Sequence, residues 1–510
     1  MKAVERCFLF MGSQRRAWSG LAALGYHLEA VGAEAWRGTY YDTHSGSLFR
    51  RSIRLLGVQD PAEWRWRIAE PATAAEAPLE EIPEDPPPPD DAPVTWRGQR
   101  LLPVLRVRVH QRVFKLTAPS GQQFELALVD AAFARPMARE WVPGRRLLSL
   151  SIPEGQASEV AVIGSFLRDL FRIRPLPGDL LVYGLEVAGA HLPGAPVPAE
   201  LKLRPDDTLR QAGHKLLVRQ AFKMRANVEG ARMDLDPEFV HDIRVATRRA
   251  RFALRLFGDE LGAADAAALR DELSWIAGLL GQVRDLDIMQ QNIRRYAVEL
   301  AGRPPVPAAI GAHLRRCRTD ALDALDDALG GERFQRILTW MERIAEGERP
   351  DLPFDQLRRV LDAAPPLIHA ATARLQRWFK REPSKLEPAQ LHRIRIHFKR
   401  LRYTCEFFND LFGDVFAEAI GKCVEFQDCL GEHQDAQVAQ ARLREMADRL
   451  AEDGGATTET LIFVGGMIQQ LEGVARECRR RFERNWKKFP RLIAAIDAAT
   501  GSGPVPEPAS

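Results

Sequence analysis

The chain of 510 residues has no apolar run approaching the roughly 18 to 20 residues that a membrane-spanning helix needs. Its opening, MKAVERCFLFMGSQRRAW, breaks a short apolar stretch with acidic and basic residues, too little for a secretory leader. The six cysteines (Cys7, Cys317, Cys405, Cys423, Cys429 and Cys478) include no C-x-x-C pair, which excludes a zinc-ligand pattern and a disulfide framework. Charge of one sign is also missing. Lys and Arg number 72 against 69 Asp and Glu, a net +3, so any polyanion site must come from how the cations are arranged. These absences predict a cytoplasmic protein with reduced thiols, no membrane partner, no metal and no cofactor.

What is present is ordinary globular composition, 45% hydrophobic and 28% charged, enough for two to four domains. Texture changes near residue 200. Before it, GTYYDTHSG, EWRWRIAEP, LPVLRVRVHQRVFKLTAPSG, QQFELALVDAA and RRLLSLSIPEG read as strands bounded by turn residues. One helix is expected around Arg15 to Leu28 and another around Gly164 to Phe171. Residues 71–93, rich in proline and acid, read as an extended excursion. Beyond Leu203 the helical period persists, broken at Gly302 to Pro305 and Gly347 to Pro353.

The helical half repeats itself. HDIRVATRRARFALRLF, from His241, aligns without gaps on HRIRIHFKRLRYTCEFF, from His392. The copies share His241/His392, Ile243/Ile394, Arg244/Arg395, Arg249/Arg400, Arg251/Arg402 and Phe257/Phe408, with Arg248 opposite Lys399 and Phe252 opposite Tyr403. Some forty residues on, LLGQVRDLDIM is echoed by CLGEHQDAQVA, pairing Gly281 with Gly431 and Asp285 with Asp435.

His241, Arg244, Arg248 and Arg251 recur at three- and four-residue steps, so they share one helix face, which Arg255 extends. His392, Arg395, Lys399 and Arg402 do the same in the second copy. The opposite faces carry Ile243, Ala246, Ala250, Leu254 and Phe257, or Ile394, His397, Leu401, Cys405 and Phe408, and are expected to pack. Like charges at these steps repel by a few tenths of a kcal/mol per pair. The stripes themselves hold no acid to relieve this, so a bound anion would supply the missing charge. Guanidinium forks suit phosphate oxygens, Lys adds a point charge, and a histidine held protonated there donates from both nitrogens. Lys215, Arg219 and Lys223, then Arg476, Arg480, Arg484 and Lys487, form further basic stripes that would widen the surface. The bland alternative is a solvated basic face, with Asp285, Asp287 and Asp435 orienting the arginines. Tyr403 suits either phosphate donation or packing, and His369, His397 and His433 lack partners at ligand spacing.

DPEFVHDIRVATRRARFALRLF with GLLGQVRDLDIM, then LHRIRIHFKRLRYTCEFF with CLGEHQDAQVA, closely resembles the CHAD domain over roughly Leu203 to Ala499. That resemblance implies a pseudo-symmetric pair of helical bundles whose basic surface binds inorganic polyphosphate, with members at polyphosphate granules. It makes His241, Arg244, Arg248, Arg249, Arg251, His392, Arg395, Lys399, Arg400 and Arg402 the expected contacts.

The first 195 residues resemble a degraded CYTH domain, an antiparallel β-tunnel whose active members hydrolyse triphosphates with a divalent metal. VERCF, YYDT, LLPVLRVRVHQRVFKL, QFELAL and SEVAVIG follow that family's strand order. Its opening E-x-E-x-K falls on Ala3, Glu5 and Cys7; Val129 stands where a later acid belongs, one place before Asp130; and after Glu159 the next acid and lysine become Ala161 and Ile163. With only Glu5, Glu125 and Glu159 left, too few carboxylates remain for the metal, so catalysis is not expected. Arg106, Arg108, His110 and Arg112 alternate on one strand face, which fits an anion-lined tunnel or an exposed basic strand equally.

The combined expectation is an α+β chain of two domains. A CYTH-like β domain over residues 1–195 precedes a CHAD helical domain over residues 203–499, with repeats at 203–347 and 352–499 and a disordered tail at 500–510. The alternatives are a surviving triphosphatase fed by the helical part, and binding of a nucleic-acid backbone. The stripes lack the interleaved aromatics that stack on single strands, which disfavours nucleic acid. A homo-oligomer is left open.

Overall fold

The computed structural model describes residues 3–11, 13–59, 64–69, 95–97, 99–153, 173–176, 179–192, 194, 197–299, 306–344, 358–412 and 416–501. The proline-rich excursion, the helix expected around Gly164, both expected helix breaks and residues 502–510 of the expected tail lie outside them, whereas Thr500 and Gly501 end the last helix. The chain divides into two compact units: Met1–Pro196 with Arg225–Phe239, and Val197–Met224 with Val240–Ser510.

The first unit is built on an antiparallel sheet. Its strands are β1 (Ala3–Phe10), β2 (His27–Thr43), β3 (Arg54–Gln59), β4 (Trp64–Ala69), β5 (Thr95–Trp96), β6 (Gln99–Thr117), β7 (Gln123–Ala134), β8 (Val142–Pro143), β9 (Leu147–Pro153) and β10 (Ile173–Pro175). The order is β10-β1-β9-β7-β6-β2-β3-β4, with β5 added to β6 and β8 to β7. The five segments read as strands fall on β2, β4, β6, β7 and β9. The early helix is α1 (Gln14–Ala23), shorter than expected because Gly25, at φ +82°, turns the chain into β2. Two further helices, α2 (Ser47–Arg50) and α3 (Leu180–Ala188), had no counterpart in the sequence reading.

Alternation decides what each sheet face does. Leu105, Val107 and Val109 of β6 enter a core with Ala131 and Phe133 of β7 and with Leu181, Tyr183 and Leu185 of α3. Phe114 and Leu116 join a second core with Leu126, Leu128, Leu148, Leu150 and α1. Arg108, His110 and Arg112 stand exposed, opposite the apolar row of β6. Arg106 and Arg108 lie over the Trp141 ring at 5.2 and 4.0 Å. Arg112 donates to Gln14 at 3.1 Å.

The second unit is helical. Its helices include α4 (Leu209–Arg232), α5 (Pro237–Leu256), α6 (Gly258–Leu261), α7 (Ala263–Glu299), α8 (Ala308–Gly330), α9 (Glu332–Arg343), α10 (Val360–Gln376), α11 (Pro388–Phe407), α12 (Asn409–Phe412), α13 (Ala417–Glu452), α14 (Thr458–Trp486) and α15 (Phe489–Gly501), of which α4 and α5 begin or end in the first unit. The copies of the repeat lie on α5 and α11, each twenty residues long and each starting on a proline, which suits a helix start because the missing N–H has no partner there anyway. A capping box closes the start of α11, where Gln390 Oε1 accepts from the Glu387 N–H at 3.0 Å.

Candidate polyanion site

The stripes are possible because the opposite faces of their helices are committed to packing. Ile243, Ala246, Ala250, Leu254 and Phe257 are buried on α5 and just beyond it, as are Ile394, Leu401, Cys405 and Phe408 at the equivalent places. Burial of those faces fixes the cationic faces in azimuth. Residues equivalent in the repeat meet one another: Phe252 and Tyr403 at 5.7 Å between ring centroids, and Phe257 and Phe408 edge to face at 6.2 Å. Tyr403 is only 5% exposed, so it packs, and the Arg248 guanidinium sits over its ring at 5.7 Å.

This packing brings the middles of the two stripes together. Burial pushes the Lys399 ammonium down to about 7, helped by the Arg395, Arg248 and Arg244 guanidinium groups and opposed by Asp435. Arg248 is likewise lowered by burial and by Arg244 and Arg249, with Tyr403 acting in the other direction. Burial raises the Asp435 carboxyl, and Asp285 adds to that, against Arg395, Lys399 and Arg244. Arg248 and Lys399 are thus half-buried within a mixed cluster rather than on the open solvent face that the helical period alone suggests.

A second concentration lies nearer the end of α5. Burial, Arg255 and Arg270 lower Arg251; burial, Arg374 and Arg255 lower Arg400. Arg270 and Arg374 escaped the sequence reading because neither belongs to a stripe. Only the packing of α7 and α10 places them here, and no local signal marks them.

Among the described residues, none of Arg244, Arg251, Arg255, Arg395, Lys399 and Arg400 makes an ion pair. The Nε atoms of Arg248, Arg249, Arg251 and Arg395 are buried without a hydrogen-bond partner. An unsatisfied buried donor costs on the order of 1 to 3 kcal/mol, and three of the four, those of Arg248, Arg251 and Arg395, belong to the two basic faces. His241 is half-buried and His392 exposed at the starts of the stripes.

Other expected contacts are engaged elsewhere. Glu406 accepts from Arg249 Nη2 and Arg402 Nε, each at 2.6 Å, so an acid does relieve the basic faces there. Lys215 is held by Asp207 at 2.7 and 2.8 Å, and Arg219 by Asp410 and, at 2.6 Å, by the Leu201 carbonyl. These acids escaped notice because they lie outside the aligned stripes. Burial and Arg249 lower Lys223, with Asp242 and Glu406 opposing. Arg480 and Arg484 pair with Glu477 at 3.7 and 3.0 Å on the exposed side of α14, where Lys487 is also exposed. Asp285 and Asp287 orient Arg442 and Arg318, at 2.6 and 2.7 Å, not the stripe arginines.

In the β unit, Glu159, Ala161, Ile163 and the side chain of Glu5 lie outside the described residues. Glu125 is exposed on β7 while Val129 is buried. Among the described residues no group of three or more His, Cys, Asp or Glu side chains is placed to hold a metal ion.

A four-cation cluster thus lies on two packed helices, and comparison with known proteins relates this part of the chain to a family. Residues 216–444 match the CHAD domain, so the helical half of this chain carries a CHAD domain. Two uncharacterized proteins of Mycobacterium tuberculosis are each 27% identical over 522 residues, covering 96% of this chain and 96% of the relative. Among solved structures, the CHAD domain from the plant Ricinus communis is similar at 24% identity and TM-score 0.44, over 61% of this chain and 99% of that one. PptA from Streptomyces chartreusis is similar at 18% identity and TM-score 0.43, over 55% of this chain and 100% of that one. Among the described residues no helix is long and apolar enough to cross a membrane.

Proposed function

We propose that this protein binds inorganic polyphosphate through the CHAD domain, along the paired faces of α5 and α11, without catalysis. The CHAD family is associated with polyphosphate binding in general. The observation that carries the reading for this chain is that the guanidinium Nε atoms of Arg248, Arg251 and Arg395, on the two faces, are buried without a hydrogen-bond partner. The contacts would be Arg244, Arg248, Arg251, Arg255, Arg395, Lys399 and Arg400, with His241 and His392 at the ends. A chain carrying one charge per phosphate supplies what the cluster lacks, several acceptors in a row. The mutual contacts of Phe252 with Tyr403 and of Phe257 with Phe408 support a pseudo-two-fold arrangement, because residues related by a two-fold axis meet their own counterparts.

Titration of the full chain with long-chain polyphosphate, and with single-stranded DNA of matched charge, tests the reading. Polyphosphate should bind more tightly, and its affinity should fall steeply with salt as counterion release becomes less favourable, by analogy with nucleic acids. Equal affinity for DNA would reassign the surface to nucleic-acid backbone. Phosphate release from triphosphate with magnesium or manganese should stay at background, consistent with the replaced acids and lysine of the β unit.

A further inference from the structure

Gln220 is 4% exposed and lines a cleft of about 200 Å3 between α4, α5 and α11. Its Nε2 donates to the Leu216 carbonyl at 3.4 Å, which can only accept, so the amide orientation is fixed and Oε1 is the atom left over. That oxygen is buried with no hydrogen-bond partner. Around it the cleft sets Lys202, Arg219, Lys223 and Arg249 against Glu406 and Asp410, an excess of two positive charges. The cleft therefore asks for two things at once: negative charge, and a hydrogen-bond donor for a buried acceptor. The two carboxylates act in the same sense, since they repel a bare anion strand and favour a group that carries a proton.

We propose that this cleft receives a terminal phosphate group, one whose second ionisation leaves a P–OH donor available near neutrality. The same chemistry occurs at the end of a polyphosphate chain and on a separate phosphomonoester. Internal phosphates of a chain lack that proton and offer acceptors only. The P–OH would donate to Gln220 Oε1, while Lys223 and Lys202 face the remaining oxygens. Burial, Arg249 and Arg219 lower Lys223 against Asp242 and Glu406, so an anion there would favour its charged form. The cleft adjoins the proposed polyphosphate face, because Arg249 follows Arg248 directly on α5. In its chain-end form the inference rests on the proposed function.

Linear tripolyphosphate and cyclic trimetaphosphate separate the requirement, because the ring has no terminal group. Each is titrated calorimetrically into the full chain, with thermal melts as a folding control. Gln220→Leu should weaken linear tripolyphosphate about threefold to tenfold, the worth of one hydrogen bond, and leave the ring unchanged. Lys223→Met, the second variant in case the first misfolds, should weaken the linear compound more than the ring. Equal effects on both ligands, or none on either, overturn the inference. Competition between inorganic phosphate and long-chain polyphosphate then assigns the source: displacement means the chain end, simultaneous binding a separate phosphomonoester. An unchanged Gln220→Leu profile, beside an Arg248→Gln variant that weakens both ligands, removes only this inference. If long-chain polyphosphate does not bind at all, the proposed function falls, while the cleft stands if linear tripolyphosphate still binds and depends on Gln220.

Discussion

Arg248 of the first repeat sits over the ring of Tyr403 of the second, its guanidinium carbon 5.7 Å from the ring centroid. The contact holds the middle of one basic face against the helix that carries the other. Lys399 lies one turn before Tyr403 on α11, so both cations address the same space.

If the two faces grip one stretch of polyanion, Arg248→Gln and Lys399→Met should each weaken polyphosphate binding by about tenfold or more, the worth of a charge-assisted hydrogen bond. The double variant should be non-additive. Strict additivity with a fall in stoichiometry would mean two separate chains. Neutral replacements are preferable to Glu at both sites, because both side chains are half-buried and a buried carboxylate would confound binding with folding.

Polyphosphate affinity should decrease as pH rises above about 7. The Lys399 ammonium, held there by burial and by Arg395, Arg248 and Arg244, must take up a proton to meet the anion. Below that pH it is already charged and the dependence should flatten. Lys399→Met should abolish the slope, read as affinity against pH by calorimetry.

The same shift has a consequence for stability with the opposite sign. Between about 7 and the usual lysine value the unfolded chain binds the proton that the folded chain has lost, so stability rises with pH through this window. Thermal melts should show Lys399→Met gaining most over the parent below pH 7 and losing that advantage as pH rises.

Glu406 bridges Arg249 and Arg402 and is half-buried. Glu406→Gln should destabilise the folded protein by about 1.5 to 3 kcal/mol, the worth of a hydrogen bond to a charged group. Urea denaturation measures this, and a change below about 0.5 kcal/mol would place the triad among surface pairs of little worth.

Thiol reactivity should divide the six cysteines. Burial pushes the Cys405 and Cys478 thiols up to about 12 and Cys423 well above its usual value, and Cys429 is also buried. Cys7 and Cys317 are half-buried. An alkylating reagent should label only these two in the native protein and all six in denaturant, as counted by intact mass.

Local periodicity in the sequence determined strands β2, β4, β6, β7 and β9, the helical half, and both the packed and the basic faces of α5 and α11. A helix face depends only on residues three and four apart, and a strand face on residues two apart, so neither needs tertiary knowledge. The repeat added the expectation that the two basic faces act alike. The tertiary structure decided which cations keep their charge available. Arg219 finds Asp410 and Arg249 finds Glu406, partners 191 and 157 residues away, so these cations are matched while Arg244, Arg395 and Lys399 stay unpaired among the described residues. It also placed Lys399 beside Arg248, and Gln220 in a charged cleft. Coulomb energy depends on distance through space, and distance along the chain does not report it.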